Sequence, residues 1–277
     1  MNLAITGATS GIGEQALKAL LKNFDQIFVL ARNESKSNAL ISSFSEIDQK
    51  KCIFIELNLA DMDSVAEAAN VIQTKTDHLD VLINNAGGIF KEKEITKDGF
   101  EMSISANHLG HFLLTNKLMP LLLRSKIAKV INVSSEAHRM AKVDFNDLNY
   151  QKSTFSSFGS YANVKLFNIL FSKSLVEKFG PQGLKSYALH PGVVKTNFAK
   201  ESAGVFSFLW KLAGPFMITA EQGAQTTIYL AKTAIDAKHN GAYFKKSKPT
   251  TPSKSANSKN MREKLWLKSE ELLKKWM

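Results

Sequence analysis

Short apolar runs alternate with helical patterns along most of the chain, and each run has the length of a buried strand. The first run, Asn2–Thr6, ends at glycine, and apolar residues then recur at helical spacing between Gln15 and Phe24. A second apolar run, Gln26–Ala31, follows directly. Strand, helix and strand in this order predict a βαβ unit with two parallel strands.

The same alternation continues to about residue 190. Further strands are predicted at 52–57, 80–84, 129–134 and 184–190, with a helix at 62–75 between the first two. Strands that are apolar throughout and separated by helices are typical of a parallel sheet covered on both faces. We therefore predict an α/β fold, a doubly wound parallel sheet of about seven strands with helices on both faces, in one domain over residues 1–277.

The composition is that of a chain with a core, and its charge is concentrated near the C-terminus. The 277 residues are 44% hydrophobic and 22% charged, which excludes intrinsic disorder over most of the length. The formal net charge is +11, and residues 245–277 carry ten basic and three acidic side chains. We interpret this basic segment as a solvated face and predict no nucleic-acid partner, with peripheral contact to an acidic membrane as the alternative.

Cysteine content and hydropathy indicate in which part of the cell the protein is expected. Cys52 is the only cysteine in the sequence, so no intramolecular disulfide can form and a cysteine-based zinc site is not expected. No run of 18 apolar residues is present, and the first residues lack the basic and apolar regions of a signal peptide. These features predict a cytoplasmic protein without an integral membrane span.

A glycine-rich turn, Thr6-Gly-Ala-Thr-Ser-Gly-Ile-Gly13, joins the first strand to the first helix. Gly7 permits a tight turn, Gly11 lets the backbone approach a phosphate, and Gly13 lets the helix pack closely on the sheet. The N–H groups at the start of the helix would then face the anion. The turn is a candidate pyrophosphate site, although glycine-rich turns also occur for structural reasons alone.

Three further motifs follow the glycine turn. They are Asn84-Asn-Ala-Gly87 at the end of the fourth strand, Tyr161-Ala-Asn-Val-Lys165, and Pro191-Gly-Val-Val-Lys-Thr196. In this order and spacing the four motifs resemble the short-chain dehydrogenase/reductase superfamily in its single-domain Rossmann-fold form, over about residues 2–244 and more loosely to the end. The resemblance implies an oxidoreductase that moves a hydride between a nicotinamide cofactor and a carbonyl or alcohol carbon.

The resemblance assigns catalytic roles to Asn107, Ser135, Tyr161 and Lys165. Tyr161 and Lys165 are four residues apart, so a helix would place them on one face. Tyr161 is expected to act as acid and base, while the Lys165 ammonium lowers the pKa of the phenol and binds the nicotinamide ribose. Ser134 and Ser135 both follow the fifth strand, and by resemblance Ser135 orients the substrate carbonyl. The backbone of Asn107 would hold a water of the proton relay.

The residues after the fifth strand indicate which branch of the superfamily the chain resembles. The run Ser134-Ser-Glu-Ala-His138 and the 26-residue span from Ser135 to Tyr161 look like the retinol dehydrogenase and WW-domain oxidoreductase branch.

The histidines in and around the motifs could also suggest a metal or general-base site, but packed or hydrogen-bonded histidines are the simpler interpretation and this chemistry needs no metal. These histidines are His108, His111, His138 and His190.

Arg32 favours one of the two nicotinamide cofactors. An acidic residue at the end of the second strand would bond the adenosine 2′-hydroxyl, but the strand ends with no acid and Arg32 follows it. Arginine binds a phosphate through two parallel hydrogen bonds, so NADP(H) is favoured over NAD(H), with a solvated loop charge as the alternative. Asn58 stands where many relatives have an aspartate at the adenine edge, and its amide oxygen can still accept from the adenine amine.

The expected cofactor contacts come from the four motifs and from the residues after the second and third strands. Among them, the hydroxyl of Ser10 could add a phosphate contact. The full set is Gly7, Thr9, Ser10, Gly11, Ile12, Gly13, Arg32, Asn58, Leu59, Asn85, Ala86, Gly87, Tyr161, Lys165, Pro191, Gly192, Val194 and Thr196.

The resemblance also places a variable substrate lid at about 197–219. Residues 205–217 of this segment are rich in Phe, Trp, Leu and Met, which favours a lipophilic carbonyl or alcohol such as a retinoid-like, steroid-like or long-chain compound. Packing of the segment against another subunit or a membrane surface is the alternative.

Two further expectations concern activity and assembly. A regulatory protein that binds NADP(H) with little turnover is the alternative to an enzyme, although such proteins commonly lose the tyrosine or the lysine, and this chain keeps both. Helices at 107–124 and 159–179 are expected to pair across a two-fold axis in a homodimer or homotetramer, with a monomer as the alternative.

Overall fold

One sheet of eight strands organises the part of the chain that the structure, a computed structural model, describes, residues 1–194 and 217–277. Across the sheet the strands lie in the order β3-β2-β1-β4-β5-β6-β7-β8. Their bounds are β1 Asn2–Thr6, β2 Gln26–Ala31, β3 Cys52–Glu56, β4 Val81–Asn84, β5 Lys129–Val133, β6 Lys185–His190, β7 Tyr243–Lys245 and β8 Lys248–Thr250.

The predicted doubly wound parallel sheet is confirmed. Strands β1 to β7 are parallel, and the strand order reverses between β1 and β4, which are neighbours at the centre of the sheet. Ligands of such folds bind at the carboxyl ends of the strands beside this reversal. The sheet has one strand more than expected, because β8 pairs antiparallel with β7 at the edge. A three-residue edge strand of Lys, Pro and Thr carries no apolar pattern that could predict it.

Helices cover both faces of the sheet. Their bounds are α1 Gly11–Leu20, α2 Glu34–Ser42, α3 Glu46–Lys51, α4 Met62–Lys75, α5 Met102–Ile104, α6 Gly110–Leu123, α7 Ser157–Phe179, α8 Ala220–Lys232 and α9 Lys259–Leu273. Residues of α1 and α8 share one apolar core with the sheet, and residues of α4, α6, α7 and α9 share the other. Among the described residues, none of the helices is long and apolar enough to span a membrane.

The C-terminal helix α9 packs on α6 and α7. The ring of Trp266 meets that of Phe112 edge-on, with centroids 4.8 Å apart, and Trp266 is buried. On the same helix, the Ser269 hydroxyl oxygen lies 2.9 Å from His108 Nε2. Every residue from 157 to 176 is buried or half-buried within the chain.

This packing bears on the expected two-fold contact through 107–124 and 159–179, which stays a prediction. The sequence pattern shows that these helices are apolar on more than one side, but it cannot show which element covers the second side. Here α9 of the same chain packs on α7, and residues 157–176 of α7 are buried or half-buried.

Candidate active site

The glycine turn between β1 and α1 is shaped to receive an anion. Gly7 and Gly11 have φ angles of +67° and +57°, a conformation that glycine adopts without strain. A Cβ atom on Gly13 would lie 2.2 Å from the carbonyl oxygen of Gly7, so α1 can pack this closely against the turn only if residue 13 is glycine. Within the described part of the chain, the Ser10 side chain makes no capping hydrogen bond to α1. The first N–H groups of the helix therefore remain available to a phosphate.

Thr6, the last residue of β1, joins this turn to the end of β4. Its hydroxyl oxygen accepts hydrogen bonds from Asn85 N at 3.0 Å and Ala86 N at 2.9 Å, while Asn85 Nδ2 donates to Gly7 O at 3.1 Å. With two bonds accepted, the hydroxyl donates its proton to His111 Nε2, 2.9 Å away. Burial lowers the pKa of His111 to about 3, so the ring is neutral. The motif after β4 is thus held against the glycine turn, as the resemblance implied.

Asn107 lies in a π-helical turn, Ser105–Leu109, between α5 and α6. Its Oδ1 accepts from Gly88 N at 2.9 Å, and its Nδ2 donates to Ser103 O at 2.9 Å. A Cβ atom on Gly87 would lie 2.5 Å from Asn107 Oδ1, so the loop after β4 passes directly over this amide. Single π-helical turns inside α-helices often mark functional sites, and the hydrophobic pattern contains no signal that distinguishes them.

The Ser135 hydroxyl is close enough to Tyr161 to offset part of the rise in the pKa of the phenol. Ser135 follows β5 and caps the short 3-10 helix Glu136–Met140 by accepting from Ala137 N at 3.2 Å. Ser134, the other candidate, is 1% exposed and donates to Lys165 O at 2.6 Å, so its hydroxyl is used inside the fold. The geometry therefore favours Ser135 as the serine that can act beside Tyr161.

Lys165 lies one turn after Tyr161 on α7, as predicted. Its Nζ donates to Val133 O at 3.0 Å and lies 5.4 Å from the centroid of the Tyr161 ring. Burial lowers the pKa of the Lys165 ammonium to about 8. A Cβ atom on Gly87 would lie 3.4 Å from Nζ, so the lysine also borders the loop after β4.

The pKa of Tyr161 departs from the expectation. Burial raises the pKa of the Tyr161 phenol to about 12, and the hydrogen bond with Ser135 offsets only part of this rise. The expected lowering by Lys165 is wrong for the chain alone, because desolvation disfavours the phenolate and the ammonium donates to Val133 O. Burial depth is a tertiary property, so the spacing of Tyr161 and Lys165 could not reveal it.

The residues expected at the adenosine end lie after β2 and β3. Arg32 is exposed directly after β2. Asn58 Oδ1 accepts from Ala60 N at 3.1 Å, which occupies one of its two lone pairs and leaves the other for the adenine amine. Leu59 is buried, and its carbonyl oxygen would lie 2.5 Å from a Cβ atom on Gly110 at the start of α6.

The loop after β6 contains the last expected cofactor contacts. Gly192 has φ +103°, and a Cβ atom there would lie 2.4 Å from Ile218 Cδ1. Val194 pairs with Ile218 in a parallel bridge, and Ile218 N donates to Val193 O at 2.9 Å. Thr196 and the lid residues 197–216 lie outside the described residues.

The histidines near the motifs each have a hydrogen-bonding partner in the fold. Over residues 1–194 and 217–277, no group of three or more His, Cys, Asp or Glu side chains could hold a metal ion. The partners are Ser269 for His108, Thr6 for His111, Ser253 and Ser135 for His138, and the Glu136 amide for His190.

A buried polar network behind the site was not identified from the sequence. Asn84 Nδ2 donates to Asn132 Oδ1 at 2.8 Å and to Thr115 Oγ1 at 3.0 Å. Asn132 Nδ2 in turn donates to Ser172 Oγ at 2.8 Å, so β4, β5, α6 and α7 are joined. The available signal was one asparagine in each of two otherwise apolar strands, because a buried amide requires partners.

Comparison with known proteins identifies related proteins. A model of the family described as short chain dehydrogenase matches residues 2–204. Human retinol dehydrogenase 12 is 36% identical over 273 residues, which covers 98% of this chain and 85% of that protein. Human WW domain-containing oxidoreductase is 35% identical over 279 residues, covering 98% of this chain and 67% of that protein.

Solved structures share the fold. A protein of Mycobacterium paratuberculosis has a TM-score of 0.79 at 29% identity, covering 99% of this chain and 93% of that one. An NADPH-bound carbonyl reductase from chicken fatty liver has a TM-score of 0.68 at 21% identity, covering 91% of this chain and 98% of that one. At this lower identity the likeness shows the fold alone.

The close approach at Gly13 can be tested by adding a single methyl group. Gly13→Ala places a Cβ atom 2.2 Å from the Gly7 carbonyl oxygen, so the turn must shift. We expect NADPH affinity, measured by fluorescence titration, to fall by about tenfold or more, and stability to fall by about 1–3 kcal/mol. Gly180→Ala is the control, because its Cβ meets Val176 at an ordinary 3.4 Å and its φ is −57°. Parent-like NADPH affinity in Gly13→Ala would contradict the assignment of the turn.

Proposed function

Because the chain belongs to the short-chain dehydrogenase family, in its retinol dehydrogenase-like branch, we propose that it is an NADP(H)-dependent oxidoreductase of lipophilic carbonyl compounds or alcohols. The family assignment itself makes the chain an oxidoreductase that acts on CH–OH or C=O groups with a nicotinamide cofactor. The observation that carries the proposal is the buried placement of Tyr161 and Lys165 one turn apart on α7, with Lys165 Nζ 5.4 Å from the centroid of the Tyr161 ring. The nearby Ser135 hydroxyl lowers the pKa of the phenol.

The residues at the carboxyl ends of the strands fit a dinucleotide. The glycine turn leaves helix N–H groups available for the pyrophosphate, and Gly13 lets α1 pack closely against the turn. Arg32 is exposed after β2 and could bind a 2′-phosphate, which supports NADP(H) over NAD(H). Asn58 would take the adenine edge, and Lys165 the nicotinamide ribose. When bound, the cofactor supplies or accepts the hydride.

Tyr161 would exchange the proton with the substrate oxygen. Its raised pKa, about 12, keeps the phenol protonated near neutral pH, as the reduction of a carbonyl requires. Ser135 Oγ accepts from Ala137 N, and its proton, which lowers the pKa of Tyr161 in the chain alone, would be donated to the substrate carbonyl when a substrate binds. Lys165 and the backbone carbonyl of Asn107 would return the proton to Tyr161 through water.

Because the pKa of Lys165 is about 8, the rate of reduction should fall as pH rises through that value.

A lipophilic substrate is supported by apolar side chains beside the site. Met140 ends the 3-10 helix that follows Ser135 and is 65% exposed, and Val193 is exposed in the loop after β6. The aromatic sequence of 205–217 and the names of the retinol dehydrogenase relatives point the same way. A retinoid-like, steroid-like or long-chain aldehyde or ketone is therefore our proposed substrate class.

The remaining expectations stay predictions. They are the single domain over 1–277, a cytoplasmic location, peripheral membrane contact through residues 245–277, and no nucleic-acid partner. A homodimer or homotetramer paired through 107–124 and 159–179 also stays a prediction. A regulatory NADP(H) binder with little turnover is the second candidate, and the presence of both Tyr161 and Lys165 argues against it.

The role of Tyr161 is tested by removing its hydroxyl. We expect the parent to oxidise NADPH with members of a panel of lipophilic aldehydes and ketones, and Tyr161→Phe to lose about 10²- to 10⁴-fold in kcat with NADPH affinity retained. Tyr187→Phe is the matched control, because the buried Tyr187 hydroxyl has no hydrogen-bond partner among the described residues. Equal rates for Tyr161→Phe and parent would contradict the proposed role. Tight NADPH binding without turnover of any panel member would favour the regulatory alternative.

The choice of cofactor is tested at Arg32. Removing the guanidinium in Arg32→Ala should raise the KM for NADPH by about 10- to 100-fold and leave that for NADH nearly unchanged, because only NADPH has the 2′-phosphate. Arg124→Ala is a charge-matched control at the far end of α6. Should the ratio of kcat/KM for NADPH and NADH stay the same in both variants, Arg32 is a solvated loop charge.

A further inference from the structure

His138 binds the backbone of Ser135 through a defined ring tautomer. The Ser135 carbonyl oxygen accepts from His138 N at 3.1 Å and lies 2.6 Å from His138 Nδ1. The other ring nitrogen, Nε2, accepts from Ser253 N at 3.0 Å. A backbone amide can only donate, so Nε2 carries the lone pair and the ring proton lies on Nδ1. The Nδ1–H group therefore donates to Ser135 O, and the histidine joins Ser135 to a residue 118 positions later in the sequence.

Residues of the segment 243–253 bind side chains of the 3-10 helix Glu136–Met140, which Ser135 caps. Tyr243 Oη donates to Glu136 Oε1 at 2.9 Å, and Arg139 Nη2 donates to the Thr251 carbonyl oxygen at 2.8 Å. Lys245 Nζ lies 3.6 Å from Glu136 Oε2. Three of the five residues of the helix, Glu136, His138 and Arg139, are thus bound to the same distant segment.

The surroundings keep the His138 ring neutral and fixed. Burial lowers the pKa of His138, and its ring meets that of Tyr243 edge-on, with centroids 5.1 Å apart. The charged or titratable groups around it are Glu136, Arg139, Tyr243 and the more distant His190. A ring held on both nitrogens in this way has one orientation, and the Ser135 carbonyl is fixed with it.

We propose that His138 is a positioning residue for Ser135 and that it couples residues 243–253 to the active site. The inference rests on the proposed function, since Ser135 matters only if Tyr161 exchanges a proton with a substrate. Ser135 uses its carbonyl to bind His138 and its hydroxyl to cap the helix, and the same hydroxyl lowers the pKa of Tyr161. A rotation of the Ser135 backbone would therefore move the hydroxyl away from Tyr161.

The test compares His138→Phe, which removes both ring bonds, with His138→Asn, whose Nδ2 can still donate to Ser135 O. We expect His138→Phe to lose about 10- to 100-fold in kcat with NADPH affinity unchanged, because small displacements at a reacting centre are costly. The pH profile of alcohol oxidation should also shift to higher pH, because Tyr161 loses the bond from Ser135 that lowers its pKa. His138→Asn should recover most of kcat, and His239→Phe is the matched control.

Two further measurements distinguish a failure of the inference from misfolding of the variant and from a failure of the proposed function. Should His138→Phe fail to fold, His138→Asn is compared with His138→Gln, whose side chain can reach Ser253 N but not Ser135 O, and Asn should be the faster. Hydrogen exchange of the amides of Glu136–Met140, measured with NADPH bound, should be faster in His138→Phe and unchanged in His239→Phe. A parent without turnover would overturn the proposed function, while this exchange still tests His138. An active parent with equal kcat, pH profile and exchange in His138→Phe, or His138→Gln as fast as His138→Asn, would overturn the inference.

Discussion

Hydrogen bonds from the buried amide nitrogens at the ends of two central strands hold α6 and α7 to the sheet. Asn84 on β4 donates to Asn132 on β5 and to Thr115 on α6, while Asn132 donates to Ser172 on α7. All four side chains are buried. Leaving one such group without a partner costs about 1–3 kcal/mol, so a slip of either helix along the sheet is strongly opposed.

The active site depends on this fixed arrangement. On α7, Lys165 Nζ and Asn168 Nδ2 both donate to the Val133 carbonyl oxygen at 3.0 Å, which sets the turn of the helix that carries Tyr161. On the α6 side, His111 is bound to Thr6 and places the π-helical turn of Asn107 beside the loop after β4. The glycine turn, Tyr161 and Lys165 therefore lie where the strand order reverses, the expected ligand site of this sheet.

Local patterns predicted the elements well, and tertiary effects set the rest. The bounds of β1, β2 and α4 agree with the structure, because apolar periodicity reports burial within one element. The motifs also placed Tyr161 and Lys165 on one helix beside Ser135. The sequence could not reveal the rise in the Tyr161 pKa, the cover of α7 by α9, or the binding of His138 to Ser253, because each depends on residues far apart in the chain.

The hydrogen bond between Asn84 and Asn132 tests most directly whether the polar network holds the helices in place. The measurement is a double-mutant cycle of Asn84→Leu and Asn132→Leu, followed by the free energy of unfolding in denaturant. Each single variant should lose about 1–3 kcal/mol, and the double variant should lose less than the sum by about 0.5–3 kcal/mol, because the second change leaves no further amide without a partner. Losses that add fully would contradict the account.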